Sequence, residues 1–284
     1  YGREIDPEKG ITKVTALNRC GNGIHAMIID GENTVVSDPD RNHCEHALNA
    51  LDHLVVIDIF RTETSEFANV ILPATAWGET DGVCTNTERR VQRLRAAVTP
   101  PGDAKPDWWI VSQIAQRLDI PGFDYKSAKD VFNELCSVSP IYAGLDWERI
   151  EHGEYQWPVP DKDHPGTPIL HEGEFKNGRG IFSIINSRDP AEVIDDQFPV
   201  WLTTGRRLQA YHTRTQTGRS QGIDYLLSEE SLEIHPQDIA EWNLIDGGWA
   251  NLSSRRGSIK IRARTSDISP RGTVFCSFSF SDVP

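Results

Sequence analysis

Two stretches of this chain gather residues able to grip an anion. Residues 203–220 read TTGRRLQAYHTRTQTGRS, with four Arg, one His, one Tyr and a run of Thr. Guanidinium groups present planar, paired donors that match phosphate or carboxylate oxygens. Thr hydroxyls and main-chain N–H groups add donors of the kind that line phosphate-binding nests. The second stretch, Thr85-Asn86-Thr87-Glu88-Arg89-Arg90, sets two Arg beside a Glu and an Asn soon after an apolar run. A basic exposed hairpin and a solvated, salt-bridged turn account for the same residues without a ligand. The net charge of −13 favours a ligand, because cations gathered in one loop of an acidic chain mark a local anionic partner. Acidic and amide residues offer the complementary chemistry. Asp58 closes the apolar run LVVI at residues 54–57, and Asn33 follows the run HAMIID at 25–30. An ionised carboxylate only accepts, so it suits the N1–H and exocyclic amine of guanine. A helix cap or turn residue is the plain alternative.

These groups need elements to hold them. Residues 25–30, 54–57 and 70–72 are apolar runs that read as strands, and LVVI has the unbroken character of a strand buried on both faces. Residues 39–51 and 64–68 between them read as helices. Strands alternating with helices predict a parallel α/β sheet, whose ligands sit outside the carboxyl ends of the strands. Asn33, Asp58 and the loop after Leu72 all fall at such ends. Pro106-Asp107 opens a helix through Leu118, with Pro121-Gly122 beyond it, and a second helix spans 128–136. Residues 139–180 are rich in Gly, Pro, His and charge and read as a long irregular connection, packed down by Trp147 and Trp157. From about 198 the pattern changes to short strands separated by Gly turns, with one helix at 236–242, which reads as a small β-barrel. The organisation expected is an α/β region over 1–138, a connector over 139–194 and a barrel over 195–284.

Composition bounds the function. The charge of −13 argues against nucleic acid or an anionic membrane surface as partner. No apolar run reaches the roughly 18 residues a spanning helix needs. Five scattered cysteines, none at C-x-x-C spacing, argue against an iron–sulfur or structural zinc site and suit a reducing, cytoplasmic compartment. His43-Cys44-Glu45-His46 has helical i,i+3 spacing for a metal, a weak motif by itself. The opening Tyr1-Gly2-Arg3-Glu4-Ile5 carries no leader pattern and reads as an internal cut in a longer protein.

The segments HAMIIDGEN, SDPD, HLVVIDIFRTETSEFANVILPATAWGETDGVCTNTERRVQ, KPDWW and LTTGRRLQAYHTRT, in this order, resemble the molybdopterin oxidoreductase family of the dimethyl sulfoxide reductase type. The nearest likeness is to the C-terminal part of formate dehydrogenase catalytic subunits, with cytoplasmic nitrate reductases next. The resemblance implies an α/β region capped by a double-psi β-barrel. It implies a bis-molybdopterin guanine dinucleotide carrying Mo or W. It puts Asn33 and the Ile57-Asp58 pair on one guanosine diphosphate arm, although Ile57 stands where the family often has Gln or Ser. Asp107 matches a cofactor-binding Asp, and Thr80 stands where some relatives have Lys. Thr204, Gly205, Arg206, Arg207, His212 and Thr213 match the cofactor loop, and Phe278 matches an aromatic beside a pterin. The catalytic Cys or selenocysteine, the active-site His and an iron–sulfur cluster are implied for an N-terminal part preceding Tyr1. That part is then the first partner, and an electron-transfer subunit a second. Formate oxidation is the implied reaction, with the fragment alone inactive; nitrate reduction and a stand-alone molybdopterin-binding module are the alternatives.

Overall fold

The computed structural model describes residues 9–280 apart from Lys176. The chain divides into two units that interleave in sequence. The first holds the chain up to Gly31, Leu51–Arg61 and Ala68–Ile184; the second holds Glu32–Ala50, Thr62–Phe67 and the chain from Ile185. Among the described residues no helix is long and apolar enough to cross a membrane.

The first unit is built on a parallel sheet of β1 (Ala26–Asp30), β2 (His53–Asp58) and β3 (Val70–Pro73), in that order. The unbroken apolar run makes β2 the central strand, and Leu54, Val56 and Ile57 are essentially inaccessible. Register pairs Asp30 with Ile57 and Asp58 with Pro73. Asn69 fixes the start of that register, since its carbonyl accepts from Leu54 N at 2.6 Å while its own N–H donates to Leu54 O at 2.8 Å. Beyond β3, Lys105 N donates to Pro73 O and Thr75 N to Lys105 O, a parallel bridge that extends the sheet. It delivers Pro106 as the cap of the helix Asp107–Arg117, whose Ile110 and Ile114 pack on Ile57, Leu72 and Ala74.

The segment read as a loop after Leu72 contains two strands. β4 (Gly82–Thr85) and β5 (Arg90–Leu94) form a hairpin, and the charged stretch 86–89 is its tip. The GVCT and RVQRL runs are short and half polar, so their period was hidden by the turn residues around them. A two-residue strand, β6 (Tyr155–Gln156), adds to β5. Val91 packs with Phe132 and Cys136 of the helix Ala128–Val138, and with Ile150 and Val159 from the connection. Residues 139–168 are irregular but tied down. Arg89, at φ 71°, donates to the carbonyls of Trp157, Thr167 and Pro168 and lies 5.5 Å over the Trp157 ring. Arg149 serves the carbonyls of Gly144, Asp161 and His164 from above Tyr155.

The second unit centres on a mixed five-stranded sheet of β7 (Trp201–Gly205), β8 (Ser231–Ile234), β9 (Trp249–Ser254), β10 (Gly257–Thr265) and β11 (Thr273–Ser277). The order is β7-β11-β8-β10-β9, with parallel pairs β7–β11 and β8–β10. The sheet curls about a core of Leu232, Ile234, Ile239, Ala250, Ile261, Ala263, Val274 and Cys276. Buried Asp238, in the helix Pro236–Glu241, accepts from Gly272 N at 2.7 Å and from Arg271, which fixes the turn into β11.

Arg89→Ala strips three carbonyls of a shared charged donor. The variant is expected to lose about 2–4 kcal/mol in urea unfolding, while Arg90→Ala, whose partners are exposed carboxylates, leaves the midpoint near that of the unaltered chain.

Candidate functional sites

In the first unit the parallel register forces carboxylates to one edge. Asp30 ends β1, Asp58 ends β2, and Asp107 enters from the first turn of its helix after the bridge at Lys105. Asp58 accepts from Phe60 N at 3.2 Å, which folds the chain back beside the strand end. Burial raises the Asp107 carboxyl above its ordinary value, and the charge of Asp58 raises it further against its own main-chain N–H. Asp30 is raised for the same reasons, burial first and then Asp107 and Asp58. Three acceptor groups thus face one another closely enough to repel. Among the described residues no trio of His, Cys, Asp or Glu is arranged to hold a metal ion. What suits this edge is a ligand carrying several N–H donors. Asp58 and Asp107 were legible in the sequence. Asp30 was missed, although it closes an apolar run just as Asp58 does.

In the second unit the basic loop leaves β7 at Gly205. A Cβ at Gly205 would lie 2.9 Å from the Phe275 ring, so no other residue fits without displacing it. Thr204 pairs in register with Cys276, and Phe278 N donates to Gly205 O at 3.3 Å. Thr204, Gly205, Arg206 and Phe278 are therefore brought together. Arg206 is exposed and stands 5.9 Å over the half-exposed Phe278 ring, and no described carboxylate pairs with it. Arg207, its neighbour, points to different partners. It binds buried Glu230 at 2.9 Å and Glu233 at 2.7 Å, and Ser231 N and Ser277 Oγ complete the acceptors of Glu230. That network is satisfied within the protein, which gives Arg207 a positioning task.

Asn33 is likewise committed. Its amide nitrogen donates to Glu63 at 2.7 Å and to Thr215 Oγ1 at 3.1 Å, and its oxygen accepts from the hydroxyl and main-chain N–H of Thr64. Asn33 is 7% exposed, so its side chain ties the segment Thr62–Phe67 to the basic loop. Thr213 and Thr215 share a 2.9 Å hydroxyl contact, and with Glu63, Arg214, Gly218, Arg219 and Ser279 they line a polar cleft of about 360 Å³. Ser279 is 1% exposed and its Oγ has no hydrogen-bond partner within the protein. A buried hydroxyl left unpaired costs stability unless a ligand completes it. His212 and Arg214 hold φ of 47° and 61°, a left-handed backbone uncommon for non-glycine residues. His212 stacks edge-on against Tyr211 at 4.6 Å. Arg214 pairs with Asp224 from above the Phe280 ring.

The remaining candidates are structural in these surroundings. The hairpin tip at 86–89 directs Arg89 into the connection, as described above. Burial pushes the Cys136 thiol up to about 12 and the Cys276 thiol up to about 11, so neither is a ready thiolate.

The Molybdopterin oxidoreductase family model matches residues 4–117, and the Molydopterin dinucleotide binding domain model matches residues 200–283. The chain is 42% identical over 280 residues to the F420-dependent formate dehydrogenase subunit alpha of Methanocaldococcus jannaschii, covering 98% of this chain and 42% of that protein. It is 35% identical to the assimilatory nitrate reductase catalytic subunit of Bacillus subtilis, covering 97% of this chain and 40% of that one. The chain thus spans about two fifths of the length of these relatives. Acetylene hydratase from Pelobacter acetylenicus shares the fold at a TM-score of 0.69 over 93% of this chain, with 16% sequence identity.

The raised carboxyls set a pH test. A folded-state value above the unfolded one means that the folded chain holds the Asp107 proton more tightly, so stability falls as pH rises through that window and is lowest above it. Asp107→Asn is expected to melt higher than the unaltered chain at pH 7. The gain should shrink as pH falls below the ordinary carboxylate range; a variant less stable at pH 7 would contradict the repulsion.

Proposed function

We propose a function from one premise: this chain belongs to the molybdopterin oxidoreductase family. It is the C-terminal, cofactor-holding part of a formate dehydrogenase-like enzyme that binds bis-molybdopterin guanine dinucleotide with Mo or W. Asp58 and Asp107 accept from the guanine N1–H and amino group. Arg206 pairs with a phosphate oxygen, and Gly205 and Thr204 bring main chain close to the same group. Thr213, His212 and the unpaired Ser279 hydroxyl supply further polar contacts, while Phe278 packs beside a pterin. Asn33 and Arg207 hold this loop in place from within the protein. The residues present fit such a group: donors without protein partners stand on the basic loop, acceptors in mutual repulsion stand at the sheet edge, and a glycine stands where a side chain would block approach.

When bound, the cofactor supplies two-electron redox chemistry at its metal, which suits removal of two electrons and a proton from formate. This chain's own residues bind and orient it and carry no catalytic group. The iron–sulfur cluster and the metal-ligating residue belong on a preceding N-terminal part, and an electron-transfer subunit receives the electrons in the cytoplasm. The strand pattern of the second unit is read as a double-psi barrel. The functional division is 1–138 for the guanosine region, 139–194 for the connector and 195–284 for the barrel. Formate is preferred over nitrate because the identity is 42% to the formate dehydrogenase relative and 35% to the nitrate reductase relative. The observation that carries cofactor binding is the cleft whose buried Ser279 Oγ lacks a partner.

Arg206→Ala in the longer enzyme should cut cofactor retention by removing a charge-assisted contact worth about 1.5–3 kcal/mol. Metal content after gel filtration reads this directly, and full occupancy in the variant would count against the assignment. Formate-dependent dye reduction without nitrate-dependent dye oxidation is the expected activity; the reverse would select the nitrate reading. Cofactor held by the isolated chain, seen as fluorescence of the oxidised pterin, would favour a stand-alone module.

A further inference from the structure

The five-stranded sheet of the second unit ends on two open edges. Among the described residues β7 pairs only with β11, and β9 only with β10. Trp201 N donates to Gly272 O just ahead of β11, so alternate residues of β7 face that strand while Leu202 and Thr204 turn their N–H and C=O groups outward. Both edges border one hollow of about 670 Å³, walled by Trp201 and Leu202 of β7 and by Ala250 and Leu252 of β9. Leu232, Ile234 and Val274 from the middle of the sheet line it as well. Trp201 and Leu202 remain 40% and 43% exposed. A curled sheet whose two edge strands meet across an apolar hollow is one strand short of closure, and closure is what removes open edges. Residues 192–198 border the hollow too, but ion pairs from Glu192 and Asp195 to Arg255 and Arg256 anchor them at the β9–β10 turn, leaving the outward ladder groups of β7 open.

We infer that this hollow receives one extended segment of about five residues, apolar at every second position, laid between β7 and β9. Its main chain would pair with the outward groups of Leu202 and Thr204, and its apolar side chains would fill the hollow. The occupant is a segment of a longer polypeptide containing this chain. The relative from M. jannaschii matches 98% of this chain with only 42% of its own length, so ample polypeptide lies outside the matched part to supply a strand in cis. A tethered segment also docks at high effective concentration, which a five-residue strand from a separate molecule lacks. The inference stands on sheet geometry and does not depend on which cofactor or substrate the enzyme takes.

Residue-resolved hydrogen exchange on the 284-residue chain and on a polypeptide of the relatives' length containing it tests the docking. The Leu202 amide is expected to exchange quickly in the shorter chain and roughly tenfold or more slowly in the longer one. Leu202→Pro removes the outward donor without touching the β11 ladder. In the longer polypeptide it should restore fast exchange along the outer edge of β9 while the Ile261 amide stays protected. Equal Leu202 exchange in both chains would overturn the inference. So would concentration-dependent slowing in the shorter chain alone, which would give the edge to a second copy.

Discussion

The parallel register of β1, β2 and β3 is the constraint on which the first unit's chemistry depends. Parallel strands end at the same side of a sheet, so residues far apart in sequence are forced to one edge. Here the residues at that edge are Asp30 and Asp58, and the bridge at Lys105 adds Asp107. Their repulsion is visible in the raised carboxyls of Asp30 and Asp107. Such an arrangement destabilises the free protein slightly and favours any ligand whose N–H donors relieve it. Site and stability are opposed at these three positions, as expected where a surface is kept for binding rather than for folding.

The guanidinium groups separate into two kinds by the same reasoning. Arg89, Arg149 and Arg207 have their donors taken up by carbonyls or buried carboxylates, and they hold irregular backbone that lacks a ladder of its own. Arg206 has no such partner and is exposed. Two adjacent residues of identical type, Arg206 and Arg207, therefore do different work because strand alternation sends their side chains to opposite sides. The net charge of −13 makes the exposed cation the more telling of the two.

Much of this was legible in the sequence, for identifiable reasons. The run at 54–57 named the central strand because continuous apolar residues have few other uses, and Asp107 followed from Pro106 as a helix start. The hairpin of β4 and β5 was hidden, because its strands are four and five residues long and half polar. The roles of Asn33 and Arg207 were hidden as well. Sequence gives a side chain's donors but not whether Glu63, Thr64 or Glu230 has already taken them. The short helix Lys13–Arg19 escaped notice for want of an apolar stripe, since only Leu17 is buried.

The central claim is that the sheet edge at Asp58 and Asp107 selects guanine. Titration calorimetry of the chain with guanosine diphosphate and with adenosine diphosphate addresses it most directly. The account predicts binding of the guanosine nucleotide over the adenosine one, weakened in Asp58→Asn and as pH falls toward the ordinary carboxylate range. Equal binding of the two nucleotides, or guanosine binding untouched by Asp58→Asn, would contradict it.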